Sequence, residues 1–398
     1  MPTLRVILAT PPGFNPGMLV CDAMARAWVS RAGLAGAASF HRLFGSDPRH
    51  KGWSQADQER SDLGIDFEPL ESPEQLAEAT PLYWGDFLHM RQYHLALKRL
   101  FPDRAGRIEP LLLLSDSDAV VLERAISFGT TLVFNSAADL MRPYGQSLER
   151  FVAGARRVLV RDMASAAQLA ALHPAGGPYL GLDAAQLLTL ADDLSEIVGD
   201  REAPGPPSPS STAVLFLGRS PLNDDLFRAL GRLKARLGLD YHWLPWGDRR
   251  AFPRVPDGLP ELAAAPEQAL PSLASLLSAV SRARLVVTDT YHLAVISWSL
   301  GVPAVTLVSG VTPGKSDVSC GSAMAPLDKR LVFHQQHGLH AFLLDQRAMA
   351  DLDHLDARID NMAELIEDGI TAWHRRQVRA RAGWCEGELV KAVTGAVR

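Results

Sequence analysis

The sequence holds three cysteines, Cys21, Cys320 and Cys385, odd in number and too widely separated for a disulfide framework or a Cys-x-x-Cys metal site. A reducing, cytoplasmic setting is therefore expected, and Cys320, with no activating pair in view, reads as an inert thiol. Positive charge is also short. Lys+Arg 40 stand against Asp+Glu 45, a formal net charge of -5, which argues against a nucleic-acid partner. No apolar run approaches a membrane-spanning helix, and the short apolar start at residues 4–9 lacks the flanks of a secretory signal. The sequence also lacks a G-x-G-x-x-G fingerprint, a Walker A motif and a solenoid repeat. His334, His337 and His340 tempt a metal reading, but no carboxylate or cysteine completes a ligand set, so no metal is expected.

What is present is an α/β rhythm, in a chain of 398 residues long enough for two domains. Residues 4–9 read as a strand, 10–17 as a turn-rich loop and 18–31 as a helix. That loop suits a ligand cradle or an ordinary connection equally. Residues 35–80 are polar and show no sharp motif. The run 81–90 gathers Tyr83, Trp84 and Phe87 around Gly85-Asp86. Aromatic faces beside a carboxylate bind sugars, so Trp84 and Asp86 are candidate acceptor contacts; alternatively the rings are core and Asp86 a helix cap. Residues 111–114 and 131–134 continue the alternation, and 156–162 read as a strand ending in Arg161-Asp162, with Asp162 capping a helix over 163–172. Residues 203–211 are rich in proline and serine and read as a linker.

After the linker the pattern restarts. Residues 213–217 read as a strand ending in Gly218-Arg219-Ser220, 224–237 as a helix and 241–245 as a strand. Residues 285–308 form the clearest unit, with an apolar strand, a break at Thr288-Asp289-Thr290, a helix through Leu300, a left-handed stop at Gly301 and a further strand. With Asp289 as N-cap, His292 falls in the first turn, where the helix dipole favours an anion over an imidazolium. Arg219 and Lys315 also follow likely strand ends, and such ends converge on one edge of a parallel sheet. Together the three make a candidate anion site. Residues 348–377 read as one or two helices without a following strand, crossing back to the first half. The basic run 373–382 reads as a solvated helix face, with at most peripheral membrane contact expected.

The fold expected is α/β, two Rossmann-like domains facing across a cleft, the glycosyltransferase-B type of architecture. The expected domains are 1–202 (acceptor side), 212–360 (donor and anion side) and C-terminal helices over 361–398.

At 285–308 the sequence resembles the polysaccharide pyruvyl transferase family. Thr288-Asp289-Thr290-Tyr291-His292 and Gly301-Val302-Pro303 stand where members carry Ser-Asp-Arg-Leu-His and Gly-Val-Pro. Val160-Arg161-Asp162-Met163-Ala164-Ser165 resembles the family's V-R-D-x-x-S, and Asp183 the aspartate that follows it. Asn15-Pro16-Gly17-Met18 keeps the asparagine and glycine, but not the acid, of the family's Asn-x-Gly-Asp. Thr290 replaces the family's arginine, which shifts the anion-binding role toward Arg219 and Lys315.

The resemblance implies transfer of a pyruvyl group from phosphoenolpyruvate to two hydroxyls of a glycan or glycoconjugate, as a ketal. Phosphoenolpyruvate is then a donor substrate, and no cofactor is implied. In this reading His292 and Asp289 are the catalytic candidates. Arg219, Lys315, Thr290 and Ser220 face the donor, and Asp86, Trp84 and Asn15 the acceptor. The alternatives are a glycosyltransferase using a nucleotide sugar and a non-catalytic glycan-binding or assembly protein. Homo-oligomerisation is compatible with all three.

Overall fold

A computed structural model describes residues 3–9, 14–44, 51–133, 135–198, 211–220, 222–246, 259, 271–308 and 328–395. Among them run two parallel β-sheets. The first comprises β1 (Leu4–Leu8), β2 (Ala38–Leu43), β3 (Phe67–Leu70), β4 (Thr80–Trp84), β5 (Ile126–Thr130) and β6 (Arg157–Val160), in the order β3-β2-β1-β4-β5-β6. The second comprises β7 (Thr212–Phe216), β8 (Asp240–Trp243), β9 (Leu285–Thr288), β10 (Ala304–Val308) and β11 (Leu343–Asp345), in the order β11-β10-β9-β7-β8. Helices cover both faces, so β4, β5, β9 and β10 are buried throughout.

The two orders belong to the two common doubly wound topologies. In the first sheet the direction of winding reverses between β1 and β4, and in the second between β7 and β9. Loops leaving neighbouring strands at such a point splay to opposite faces and open a crevice at the carboxyl ends. The residues that follow β4 and β9 are therefore the ones the topology offers to a ligand.

Local signals account for much of the second unit. β9 leads into the helix Tyr291–Ser299, and Gly301 lies at φ 81, the left-handed conformation the sequence required after the helix. Ser297 Oγ donates to Val302 O at 2.9 Å, tying the turn down. Two helices, Leu352–Glu367 and Ile370–Thr394, end the described chain, separated by Gly369 at φ 79. The second crosses back to the first sheet as expected. Arg156 Nη1 donates to Ala392 O at 2.8 Å, Arg157 pairs with Glu388, and Cys385 and Leu389 are buried. One apolar core thus runs from the first sheet, past the helix Pro16–Arg31, into the second sheet and under the C-terminal helix.

Some expectations fail. Leu111 and Leu112 lie in a short helix, Ile108–Leu112, and the strand expected at 131–134 sits a few residues earlier, as β5. The polar stretch 35–80 contains β2 and β3, which lie toward the sheet edge and carry partly exposed positions that mask the alternation. The linker expected at 203–211 lies outside the described residues apart from Ser211.

Candidate functional site

The two reversal points face one another. Asp86 follows β4, and His292 begins the helix after β9; His292 Nε2 stands 3.4 Å from Asp86 Oδ2. Both residues are almost wholly buried, and neither of these two atoms has a hydrogen-bond partner among the described residues. Buried polar atoms without partners are uncommon and costly, so a facing pair of them is a mark of a site rather than of a core. The approach is close because Gly17 has no side chain. A Cβ there would lie 2.3 Å from His292 Cβ, so the helix Pro16–Arg31 touches His292 through bare backbone.

Around this pair lies a charged cluster drawn from both halves. Arg161, at the end of β6, contacts Asp86 directly, and its Nη1 donates to Asp183 Oδ2 at 3.2 Å. Tyr291 donates its hydroxyl to the same Asp183 oxygen at 3.1 Å, and the Arg161 guanidinium stacks 4.3 Å over the Tyr291 ring. Lys329, from the first turn of the helix Lys329–Gln336, places Nζ 3.8 Å from Asp86 Oδ2. Asp183 is itself fixed as a cap, its Oδ1 accepting from Ala185 N at 2.9 Å.

The electrostatics sort these groups. Burial opposes ionisation of Asp86, but Arg161, Lys329 and His292 outweigh it and hold the carboxyl below its usual range. His292 is pushed down to about 4, chiefly by burial, against the pull of Asp86 and Asp183. It is therefore neutral near pH 7, and burial rather than the helix dipole is the main reason. Burial also pushes Tyr291 and Cys21 well above their ordinary ranges, so both stay protonated. The result is a neutral imidazole beside an anionic carboxylate, an arrangement that takes up a proton and stabilises the imidazolium that forms.

Asp289 has a different task from the one expected. It does not cap the following helix, whose N-cap is Thr290. Its carboxylate accepts from the backbone N–H groups of Gly218 at 2.8 Å, Arg219 at 2.6 Å and Ser220 at 2.5 Å. It thereby fixes the loop after β7 to the end of β9. Arg330 reinforces the same corner, donating from Nη1 to Asp289 O and Leu307 O, each at 2.9 Å. With Thr290 as cap, His292 occupies the second helical position.

The other expected residues divide. Arg219 has an exposed side chain on this loop, near enough for its charge to act on Lys329 and Asp328. Ser220 is buried, and Thr290 is half-buried with Oγ1 3.4 Å from Asp289 Oδ1. Trp84 is no acceptor contact. Its ring lies between Trp28 and Phe128, its N–H donates to Cys21 O at 2.9 Å, and it is 1% exposed. Asn15 caps the helix Pro16–Arg31, accepting from Gly17 N at 3.1 Å, which commits its side-chain oxygen away from an acceptor. Asp86 is enclosed by Arg161, His292 and Lys329, so it addresses His292 rather than an open sugar site. Lys315 and Cys320 lie outside the described residues.

Lys329 was missed. It stands at the first position of a helix capped by Asp328, where the dipole disfavours a cation, and that misplaced charge was the signal available. A metal could draw on Cys21, Asp183 and His292, whose donor atoms lie within 4.8 Å of one another. Arg161 and Lys329 already oppose the two carboxylates, however, and burial keeps the thiol protonated, so a further cation there is disfavoured.

A family model, polysaccharide pyruvyl transferase, matches residues 116–310. The matched segment, just under half of the chain, carries Arg161, Asp183, Arg219, Asp289 and His292, and the chain is a transferase. No curated protein sequence matches the chain. Among solved structures, UDP-GlcNAc 2-epimerase from Neisseria meningitidis bound to UDP-GlcNAc superposes with TM-score 0.51 at 10% identity, covering 99% of this chain and 100% of that one. The likeness shows the glycosyltransferase-B-like fold. A glycosyltransferase of kitacinnamycin matches at TM-score 0.45 and 15% identity, covering 98% of each chain. Among the described residues, no helix is long and apolar enough to cross a membrane.

Proposed function

We propose that the protein transfers a pyruvyl group from phosphoenolpyruvate to two hydroxyls of a sugar in a polysaccharide or glycoconjugate, forming a ketal and releasing phosphate. The observation that carries the reading is the facing pair of His292 and Asp86, of which the histidine lies within the family match. In this scheme neutral His292 accepts the proton of an acceptor hydroxyl as its oxygen adds to the central carbon of the donor. The imidazolium, held by Asp86 and Asp183, returns that proton to the methylene carbon, which becomes the methyl group. The second hydroxyl then displaces phosphate, whose oxygen takes the remaining proton. Two C–O bonds and one C–H bond form, while the C=C π bond and the bond from the central carbon to the phosphate oxygen are lost, without net oxidation or reduction. Arg219 faces the donor from the second half. The acceptor enters from the first half. No metal or cofactor takes part, and the setting is cytoplasmic.

Thermal stabilisation by phosphoenolpyruvate, measured beside a panel of nucleotide sugars, tests the reading. Donor at about a hundredfold over its dissociation constant adds about 2.7 kcal/mol of stability. The expected result is a shift with phosphoenolpyruvate alone, together with loss of ketal formation in His292→Gln. A shift with a nucleotide sugar and none with phosphoenolpyruvate refutes it in favour of glycosyl transfer.

A further inference from the structure

Among the described residues, Lys329 is the cation of the second half that reaches deepest into the charged cluster. Its side chain is only 12% exposed, yet its ammonium is not locked in place. It rests 4.7 Å from the Tyr291 ring centroid and 5.3 Å from that of Phe87, and meets Asp86 at 3.8 Å, beyond hydrogen-bond range. It lines a small cavity between the two halves, with Arg161, Gln186, Gln336 and His337 on the other walls. Arg161 differs in being fully engaged by Asp86 and Asp183. Thr290, beside His292, brings no charge. Among the described residues the three donors of Lys329 meet no acceptor within hydrogen-bond range, so an anion arriving beside it would supply one.

We propose that Lys329 is a further contact of the second half, in addition to Arg219, for the anionic end of the donor, receiving a carboxylate or phosphate oxygen beside His292. The inference rests on the pyruvyl-transfer reading. As the donor binds, the ammonium swings from Asp86 to the donor anion, and Asp86 is left to stabilise the imidazolium of His292.

The titration of Lys329 supplies a readout that a structural role would not move. Burial lowers it to about 8; Asp86 and Asp183 pull it upward, and Arg161 and Arg219 push it down. The other groups facing it do not titrate in this window, because His292 lies far below it and burial holds Tyr291 well above. Calorimetric titration of phosphoenolpyruvate from about pH 7.5 to about 9.5 is the test. Wild-type affinity falls about tenfold per pH unit above the lysine's pKa. Lys329→Arg stays charged, so its affinity stays flat over that range. Lys329→Met binds about ten- to a hundredfold more weakly at pH 7.5 and shows no slope. Parallel titrations with inorganic phosphate and with pyruvate identify the end that is held, because the lysine-dependent slope appears with one of them. If wild type binds phosphoenolpyruvate and Lys329→Met binds it equally well, or if the slope survives in Lys329→Arg, the lysine assignment is overturned while pyruvyl transfer stands. If wild type does not bind phosphoenolpyruvate, both fall together.

Discussion

Replacing Asp289 with asparagine separates two accounts of the same corner. The side chain is fully buried and accepts three backbone N–H groups, two of them on Oδ2, within 2.5–2.8 Å. Asparagine keeps one acceptor oxygen but turns an NH2 group toward at least one of the remaining donors. Hydrogen bonds to a charged group contribute about 1.5–3 kcal/mol each, so losing two costs about 3–6 kcal/mol locally. At about 1.4 kcal/mol per factor of ten, amide exchange at Gly218, Arg219 and Ser220 should accelerate at least a hundredfold. Exchange read by mass spectrometry or NMR in wild type and variant measures this directly. The helix Tyr291–Ser299, capped by Thr290, should keep its protection. The contrary pattern, with the loop still protected and the first turn at Tyr291 and His292 exchanging fast, would falsify the loop-fixing role and restore the helix-capping one. Because the loop carries Arg219, the variant should also lose donor affinity.

Two further outcomes follow from burial. His334, His337 and His374, the last on the C-terminal helix itself, are pushed to about 4, about 3 and about 4 respectively, each chiefly by burial. These folded values lie below the ordinary histidine value, so the unfolded chain binds more protons between about pH 4 and 6.5. Stability is therefore full above about pH 6.5 and falls with pH, by up to roughly 4 kcal/mol per unit for the three together. Urea unfolding at about pH 7.5 and 5.5 checks this; a flat profile, or an unchanged slope in His337→Gln, would count against it. Gly17→Ala, whose Cβ would collide with His292, should force the helix starts apart. It should cost about 1–3 kcal/mol and abolish most turnover. Native melting temperature and full activity in that variant would show that the close approach is not needed.

The contrast between Gly301 and Asp289 shows what the sequence could carry. Gly301 had to be left-handed because an apolar helical run stops there and a proline follows, and all of that information lies within a few residues. The partners of Asp289 lie 69–71 residues away, across the reversal between β7 and β9, and strand order is not a local property. Trp84 failed for a related reason. An aromatic cluster beside a carboxylate has the same composition whether it stacks on sugars or on Trp28 and Phe128. Histidine after one strand and aspartate after another were both legible; that they stand 3.4 Å apart was not, since each belongs to a different sheet. The site is thus a product of two topologies rather than of a motif. Each half supplies a charge set that is incomplete alone. Asp86, Arg161 and Asp183 come from the first, and Tyr291, His292 and Lys329 from the second. Any substrate that reaches His292 must therefore be held by both halves at once. A change that parts them, as at Gly17, should act on the chemistry even though it touches no reacting atom.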